Sequence, residues 1–145
     1  MKTYADTSFL FSLYATDSNS NRADAWRRVN SEPLPCTSFH RLELRNALSL
    51  ALFQQRLSLS EIQAAWREVE NDRVAGHLVT RGGLWHRVVA EAELSALNDT
   101  PIVGTRTLDV LHVTAARLMG ATDFCSFDGR QLALATRLGL NAVSP

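Results

Sequence analysis

Lysine is almost missing from this sequence. Of its 15 basic residues only Lys2 is a lysine, and the others are arginines. The acids are equally numerous, so the net charge is zero and the basic footprint of a strong nucleic-acid binder is absent. Arginine does suit bidentate phosphate contacts, although codon bias in a genome produces the same statistic. Cysteine is scarce as well. Cys36 and Cys125 cannot build a disulfide framework, and with no CxxC pair and no Cys/His cluster nothing supports a structural zinc site. Both read as buried thiols in apolar, strand-like contexts. Long apolar runs are lacking too: Ala47–Phe53 is interrupted by Ser49, far short of the ~20 residues a membrane helix needs. The N-terminus shows no apolar signal region with a cleavage site, since Lys2 leads into a strand, so a cytoplasmic protein without membrane contact is expected. Neither GxxxxGK[ST] nor GxGxxG occurs, which removes the main signal of nucleotide-binding α/β folds.

What is present is an ordinary globular composition, 46% hydrophobic and 21% charged, over 145 residues, enough for one domain with a real core. Lys2–Ser8 reads as a short strand that ends on Asp6, with a helix over Ser8–Tyr14. A polar loop, Thr16–Asn21, leads to a helix over Arg22–Asn30. Pro33 and Pro35 bracket a strand, Leu34–Thr37, and Ser38–Gln55 follows as a long, strongly apolar helix. Ser58-Leu59-Ser60-Glu61 is a capping box opening a helix that runs to about Asn71. Gly76–Thr80 reads as a strand. After Gly82-Gly83 a helix reaches Asn98, and Pro101 forbids its continuation. A helix over Thr107–Met119, a strand over Asp123–Phe127, a helix over Gly129–Leu138 and a strand over Asn141–Ser144 complete the chain. Strands alternating with helices predict an α/β fold with a parallel sheet covered on both faces.

Four acids stand out by position in that pattern. Asp6 ends the first strand, and Glu43 lies early in the long helix after the second. Asp109 lies in the first turn of its helix, and Asp128 follows the strand Asp123–Phe127. In a parallel sheet, strand C-termini and the helix N-termini after them share one edge, so the four carboxylates are expected there together. Glu43 and Asp109 also fall on apolar helix faces, where a carboxylate is costly without a cation, a proton or donors. Two such charges about 6 Å apart repel by about 3 kcal/mol at an effective dielectric of ~20. A convergent quartet therefore calls for a divalent cation, and oxygen ligands suit Mg2+ or Mn2+. Each acid has a plainer reading on its own. Asp128-Gly129-Arg130-Gln131 is a capping-box pattern, Asp109 is a first-turn acid favoured by the helix dipole, and Asp6 can cap the helix after it. His112, one turn beyond Asp109, and Arg106 can meet a phosphate; equally, they can be a hydrogen-bonded helix histidine and a surface arginine.

The motifs Tyr4-Ala5-Asp6-Thr7-Ser8-Phe9-Leu10, Leu42-Glu43-Leu44-Arg45-Asn46-Ala47-Leu48, Thr107-Leu108-Asp109-Val110-Leu111-His112-Val113 and Ser126-Phe127-Asp128-Gly129-Arg130-Gln131-Leu132 together resemble the PIN-domain nucleases. Within them they resemble the VapC-like toxins of prokaryotic toxin–antitoxin pairs. The resemblance spans essentially the whole chain. It implies a PIN-like single domain with parallel strand order 3-2-1-4-5, helices on both faces, and Asp6, Glu43, Asp109 and Asp128 as its acidic quartet. It implies a Mg2+- or Mn2+-dependent endoribonuclease, with Asp6 and Asp109 the most direct metal ligands. Asp128 and Glu43 would act through water or position the nucleophile. Ser8 falls on the family's polar position two after the first acid. Ser126 stands where many members have threonine, and both hydroxyls would orient carboxylates. In that strand order Cys36 and Cys125 lie two strand spacings apart, about 9.6 Å, too far for a disulfide. Implied partners are an RNA substrate, an antitoxin entering the active-site groove, and a second copy of the chain, with Leu48, Leu52 and Phe53 available for an interface. A different class remains open beside this one: a binding module whose acidic pocket docks a partner's arginine without turnover. Phosphotransfer readings fail on Ser8, where a DxD loop needs an acid, and on the lack of any lysine late in the chain.

Overall fold

A computed structural model describes residues 2–145. In chain order its elements are β1 (Thr3–Ala5), α1 (Thr7–Tyr14), α2 (Ser20–Val29), β2 (Leu34–Thr37), α3 (Ser38–Phe53), α4 (Leu59–Ala75), β3 (Leu78–Arg81), α5 (Trp85–Asn98), α6 (Thr100–Val103), α7 (Thr107–Leu118), β4 (Asp123–Cys125), α8 (Gly129–Arg137) and β5 (Asn141–Val143). The expected alternation of parallel strands and helices is therefore present. The chain forms two compact units, one from residues 2–6 with Gly82–Ser144, the other from Thr7–Arg81 with Pro145.

The first unit is built on a parallel ladder in the order β1-β4-β5. Its register pairs Tyr4 with Phe124 and Ala5 with Cys125, and the Asp6 N–H extends the ladder to the Cys125 carbonyl at 3.0 Å. β1 is buried throughout, Phe124 and Cys125 of β4 are buried, and β5 is at best half-buried. Tyr4 and Phe124 are stacked, with centroids 5.8 Å apart, in a core shared with Val88, Val110, Val113 and Leu134. At the α5–α6 junction Asp99 accepts from Ser95 Oγ at 2.7 Å and from Arg137 Nε of α8 at 2.8 Å. Pro101 does end α5, and it also opens the next helical turn. The Arg137 guanidinium, followed by the Ser95 hydroxyl, holds the Asp99 carboxyl below the usual aspartate range. A depressed carboxyl stabilises the fold above its unfolded pKa, and that contribution disappears as pH falls through the folded value. Asp99→Ala is accordingly expected to cost about 2 kcal/mol at neutral pH, read from urea midpoints, with the deficit shrinking in acid.

The second unit carries a two-stranded parallel ladder, β2-β3, pairing Cys36 with Thr80. The expected capping box of Ser58 with Glu61 is formed at α4, and a second one, Thr37 with His40, opens α3. The helix from Ser58 runs past Asn71 to Ala75. Gly76, expected in a strand, is instead its left-handed cap at φ 81°, a conformation only glycine adopts cheaply. Phe9 meets Trp26 edge-on at 5.2 Å, and Arg45 stacks on Trp66 at 3.8 Å.

Both segments of the expected strand order are seen, 3-2 and 1-4-5, but as separate ladders. Within β2 the Leu34 N–H donates to the His77 carbonyl, and the Thr37 N–H is taken by His40 Nδ1 at 3.2 Å. A second correction concerns α3. Its buried stripe is His40, Leu44, Leu48 and Ala51, so Leu48 belongs to the interior. Leu52 and Phe53 are exposed, Phe53 at 84%. Among the described residues no helix is long and apolar enough to cross a membrane.

Candidate active site

Three of the four singled-out acids belong to the first unit. Asp6 leaves the C-terminal end of β1 and is fully buried. Ser126 and Asp128 leave the C-terminal end of the adjacent parallel strand β4, so their placement beside Asp6 follows from the ladder. Asp109 sits in the first turn of α7, 7% exposed, on the face that also carries the buried Val113 and Ala116.

A chain of hydrogen bonds joins these acids. Ser126 Oγ donates to Asp6 Oδ2 at 2.9 Å and accepts the Asp128 backbone N–H at 2.9 Å. Asp128 Oδ1 accepts the N–H groups of Arg130 and Gln131, so its side chain does cap α8. The Gln131 side-chain amide in turn donates to Asp109 Oδ1 at 3.0 Å. Asp109 Oδ2 accepts the Arg106 backbone N–H at 2.8 Å, the first-turn role open to that acid. Ser126 thus bridges the Asp6 carboxylate and the Asp128 backbone N–H.

Glu43 belongs to the second unit. It is half-buried on the flank of α3 and not on its core stripe, and its helical neighbour Leu50 is 45% exposed. The burial cost inferred from its helix face is smaller than the pattern suggested. Its Oε1 accepts from Thr7 Oγ1 at 2.8 Å. Thr7 thus supplies a hydroxyl to Glu43, and Ser8, in the first turn of α1, is half-buried.

His112 requires a correction. It is 1% exposed, and its Nδ1 pairs with the Tyr4 hydroxyl at 2.9 Å. A ring enclosed in the core cannot reach a phosphate; its role is to satisfy the buried Tyr4 hydroxyl. The Arg106 side chain, by contrast, is exposed. Both cysteines are buried and free. Burial first, then the charges of Asp6 and Asp123, drives the Cys125 thiol far above its ordinary value, so it is no nucleophile.

The donor set is all oxygen, carboxylates with an amide and a hydroxyl between them, and so fits a hard divalent ion in kind. It is not drawn into a ligand cage: among the described residues no three His, Cys, Asp or Glu side chains form a group that could hold a metal. The hydrogen-bonded chain through Ser126 and Gln131 keeps the three aspartates in one neighbourhood, each oriented by donors.

No protein-family model matches the chain. No curated protein matches it either. Solved structures do. VapC20 of Mycobacterium tuberculosis, a toxin that cleaves the sarcin-ricin loop, superposes with a TM-score of 0.72 at 16% identity, over 99% of this chain and 100% of that one. PAE2754 from Pyrobaculum aerophilum gives 0.64 at 20% identity, over 99% and 84% of the two chains. FitAcB from Neisseria gonorrhoeae gives 0.57 at 15% identity, over 97% and 95%. The chain therefore has the PIN-like α/β fold of VapC-type structures; identity at this level speaks for the fold alone.

Proposed function

We propose that the protein is a Mg2+- or Mn2+-dependent endoribonuclease that hydrolyses RNA phosphodiesters, the toxin of a toxin–antitoxin pair. The observation that carries this reading is the chain of hydrogen bonds that links Asp6, Asp128 and Asp109 through Ser126 and Gln131 at the C-terminal edge of a PIN-like sheet. The fold it shares with a sarcin-ricin-loop-cleaving toxin supports it. Asp6 and Asp109 are the residues to hold the ion, with Asp128 beside them; Glu43 is assigned to the same machinery by its sequence motif alone. A divalent ion, when bound, lowers the pKa of water and neutralises charge on the scissile phosphate. The chain's own residues orient what the ion meets. Ser126 fixes the Asp6 carboxylate, Thr7 the Glu43 carboxylate, and the backbone of Arg106 the Asp109 carboxylate. Arg106, whose side chain is exposed, is the residue proposed to meet an RNA phosphate.

The proposed partners are RNA, an antitoxin and a second copy of the chain, the last two offered the exposed Leu52 and Phe53 at the end of α3. Incubation of purified protein with RNA tests the reading. Cleavage is expected with Mg2+ or Mn2+ and is expected to vanish with EDTA, returning when the ion is restored in excess. Stable binding of RNA or of an arginine-bearing peptide, without products, would instead favour a docking module.

A further inference from the structure

Trp66 of α4 gathers arginines from α3. Arg45 Cζ lies 3.8 Å from the centre of its ring, and Arg41 Cζ lies 4.9 Å away. Arg41 is also engaged by an acid, its Nη1 meeting Glu70 Oε1 at 2.7 Å, and Arg73 takes the other Glu70 oxygen at 2.9 Å. One carboxylate thus serves Arg41 and Arg73, and Arg45 is left without an acid among the described residues. This is a local excess of positive charge in a chain whose net charge is zero. Arg45 is exposed. Stacking on indole restrains its guanidinium and leaves the in-plane N–H groups open to an anion.

The same arginine lines a cleft of about 220 Å3 between α3 and α4, together with Leu48, Ser49, Leu59, Ile62 and Gln63. Sites for whole small molecules run to roughly 300–1,000 Å3, so this one has the scale of a side chain. Its walls are mainly aliphatic, with Leu48 buried and Leu59 56% exposed, and no acid lines it. The complement is an aliphatic group with a carboxylate beside it. Leu42, Arg45, Ser49 and Leu52 follow one another at i, i+3, i+7 and i+10, a single stripe along α3. Leu42 is 69% exposed, so the apolar surface continues past the cleft in the direction a peptide would take. A nucleic acid fits less well. Its bases stack on aromatic rings, and the Trp66 ring is already taken up by guanidinium groups.

We propose that the α3–α4 cleft docks an acidic, aliphatic segment of a partner protein, with a carboxylate of the segment paired to Arg45 and the neighbouring aliphatic side chain in the cleft. The site lies wholly within the second unit and does not rest on the nuclease reading. Phage-displayed random peptides, selected in parallel on the purified wild-type chain and on Arg45→Glu, test it. Peptides enriched on wild type alone are expected to carry Asp or Glu within a residue or two of Leu, Ile or Val. On Arg45→Glu the acid is expected to give way to Lys or Arg, because a reversed charge selects the reversed complement. A labelled synthetic peptide of the wild-type consensus, followed by fluorescence anisotropy, should bind Arg45→Gln about 10–100-fold more weakly. Replacing its own acid by the amide should weaken it alike. Ser49→Trp fills the cleft from an exposed position, leaves the Arg45 charge in place and should also block the peptide.

A selection that does not distinguish wild type from Arg45→Glu, or a consensus without an acid, overturns the proposal. Affinity within twofold of wild type in folded Arg45→Gln does so too. Should the Arg45 variants not fold, Ser49→Trp decides by the same criterion; loss of folding in all of them makes the cluster structural and equally overturns it. With no peptide selected, two further results assign the cleft elsewhere and overturn the proposal. One is single-stranded RNA binding that weakens in Arg45→Gln; the other is self-association, followed by sedimentation, that is lost in that variant.

Discussion

Replacing Asp6 by asparagine is expected to abolish RNA cleavage while leaving the protein folded. Asp6 is fully buried, and its Oδ2 accepts from Ser126 Oγ at 2.9 Å. An asparagine keeps an acceptor for that hydroxyl and nearly the same volume, so the ladder from β1 to β4 is undisturbed. What it removes is a full negative charge at the sheet edge. A loss of about 10^2–10^3-fold or more in turnover is the scale for deleting one electrostatic element from a catalytic site. Asp109→Asn is expected to behave alike, for a more particular reason. Both Asp109 oxygens accept, one from Gln131 Nε2 and one from the Arg106 N–H. The substituted amide can offer only one oxygen, which leaves its NH2 facing Gln131. Rotating the Gln131 amide turns the partnerless Oε1 toward that NH2, so the fold tolerates the change. Circular dichroism and thermal unfolding check the fold; cleavage undiminished in either purified variant would sink the assignment of these acids.

The second large effect is on stability. Phe124→Ala is expected to cost about 3–5 kcal/mol, the range for truncating a buried aromatic. Phe124 is fully buried on the central strand of the β1-β4-β5 ladder and stacks on Tyr4 at an interplanar angle of 10°. Tyr4 in turn carries the His112 hydrogen bond, so the cavity would sit under a buried polar pair. Against a total stability of about 5–15 kcal/mol, this brings the protein near unfolding at room temperature. Phe53→Ala, at a position 84% exposed, is the control and should shift the urea midpoint by no more than about 0.5 kcal/mol.

Much of this was legible in the sequence because it depends on local signals. Alternation of short apolar runs with helical periodicity gives parallel strands, and the Ser58–Glu61 box and the Pro101 stop mark helix ends by hydrogen-bonding rules that act within a few residues. The position of Asp6, Asp109 and Asp128 could be read because a parallel sheet sends strand ends and following helices to one edge. Other features depend on which of several partners a group finds, and no pattern of residue types decides that. Gln131 looked like the N3 residue of a capping box; only the Ser126 hydroxyl on the Asp128 N–H shows why it goes elsewhere. Thr7 stood between two more conspicuous residues, and its contact with Glu43 joins positions 36 apart in the chain. His112 could face either way on its helix until Tyr4 was seen to claim it. Gly76 lay between a helix signal and a strand signal, and its left-handed φ assigns it to the helix.

The first unit takes its strands from both ends of the chain, and this bears on how the protein is made. Tyr4 pairs with Phe124 and Asp6 with Ser126, each across 120 residues. Synthesis proceeds from the N-terminus, and contacts between distant positions wait until the later partner has left the ribosome. Thr7–Arg81 is complete as soon as Arg81 emerges, but Asp6 has no strand to lie against until β4 follows more than forty residues later. A nascent or prematurely terminated chain therefore carries its first carboxylate unpositioned. The proposed arrangement of acids is therefore assembled only after β4 has been made.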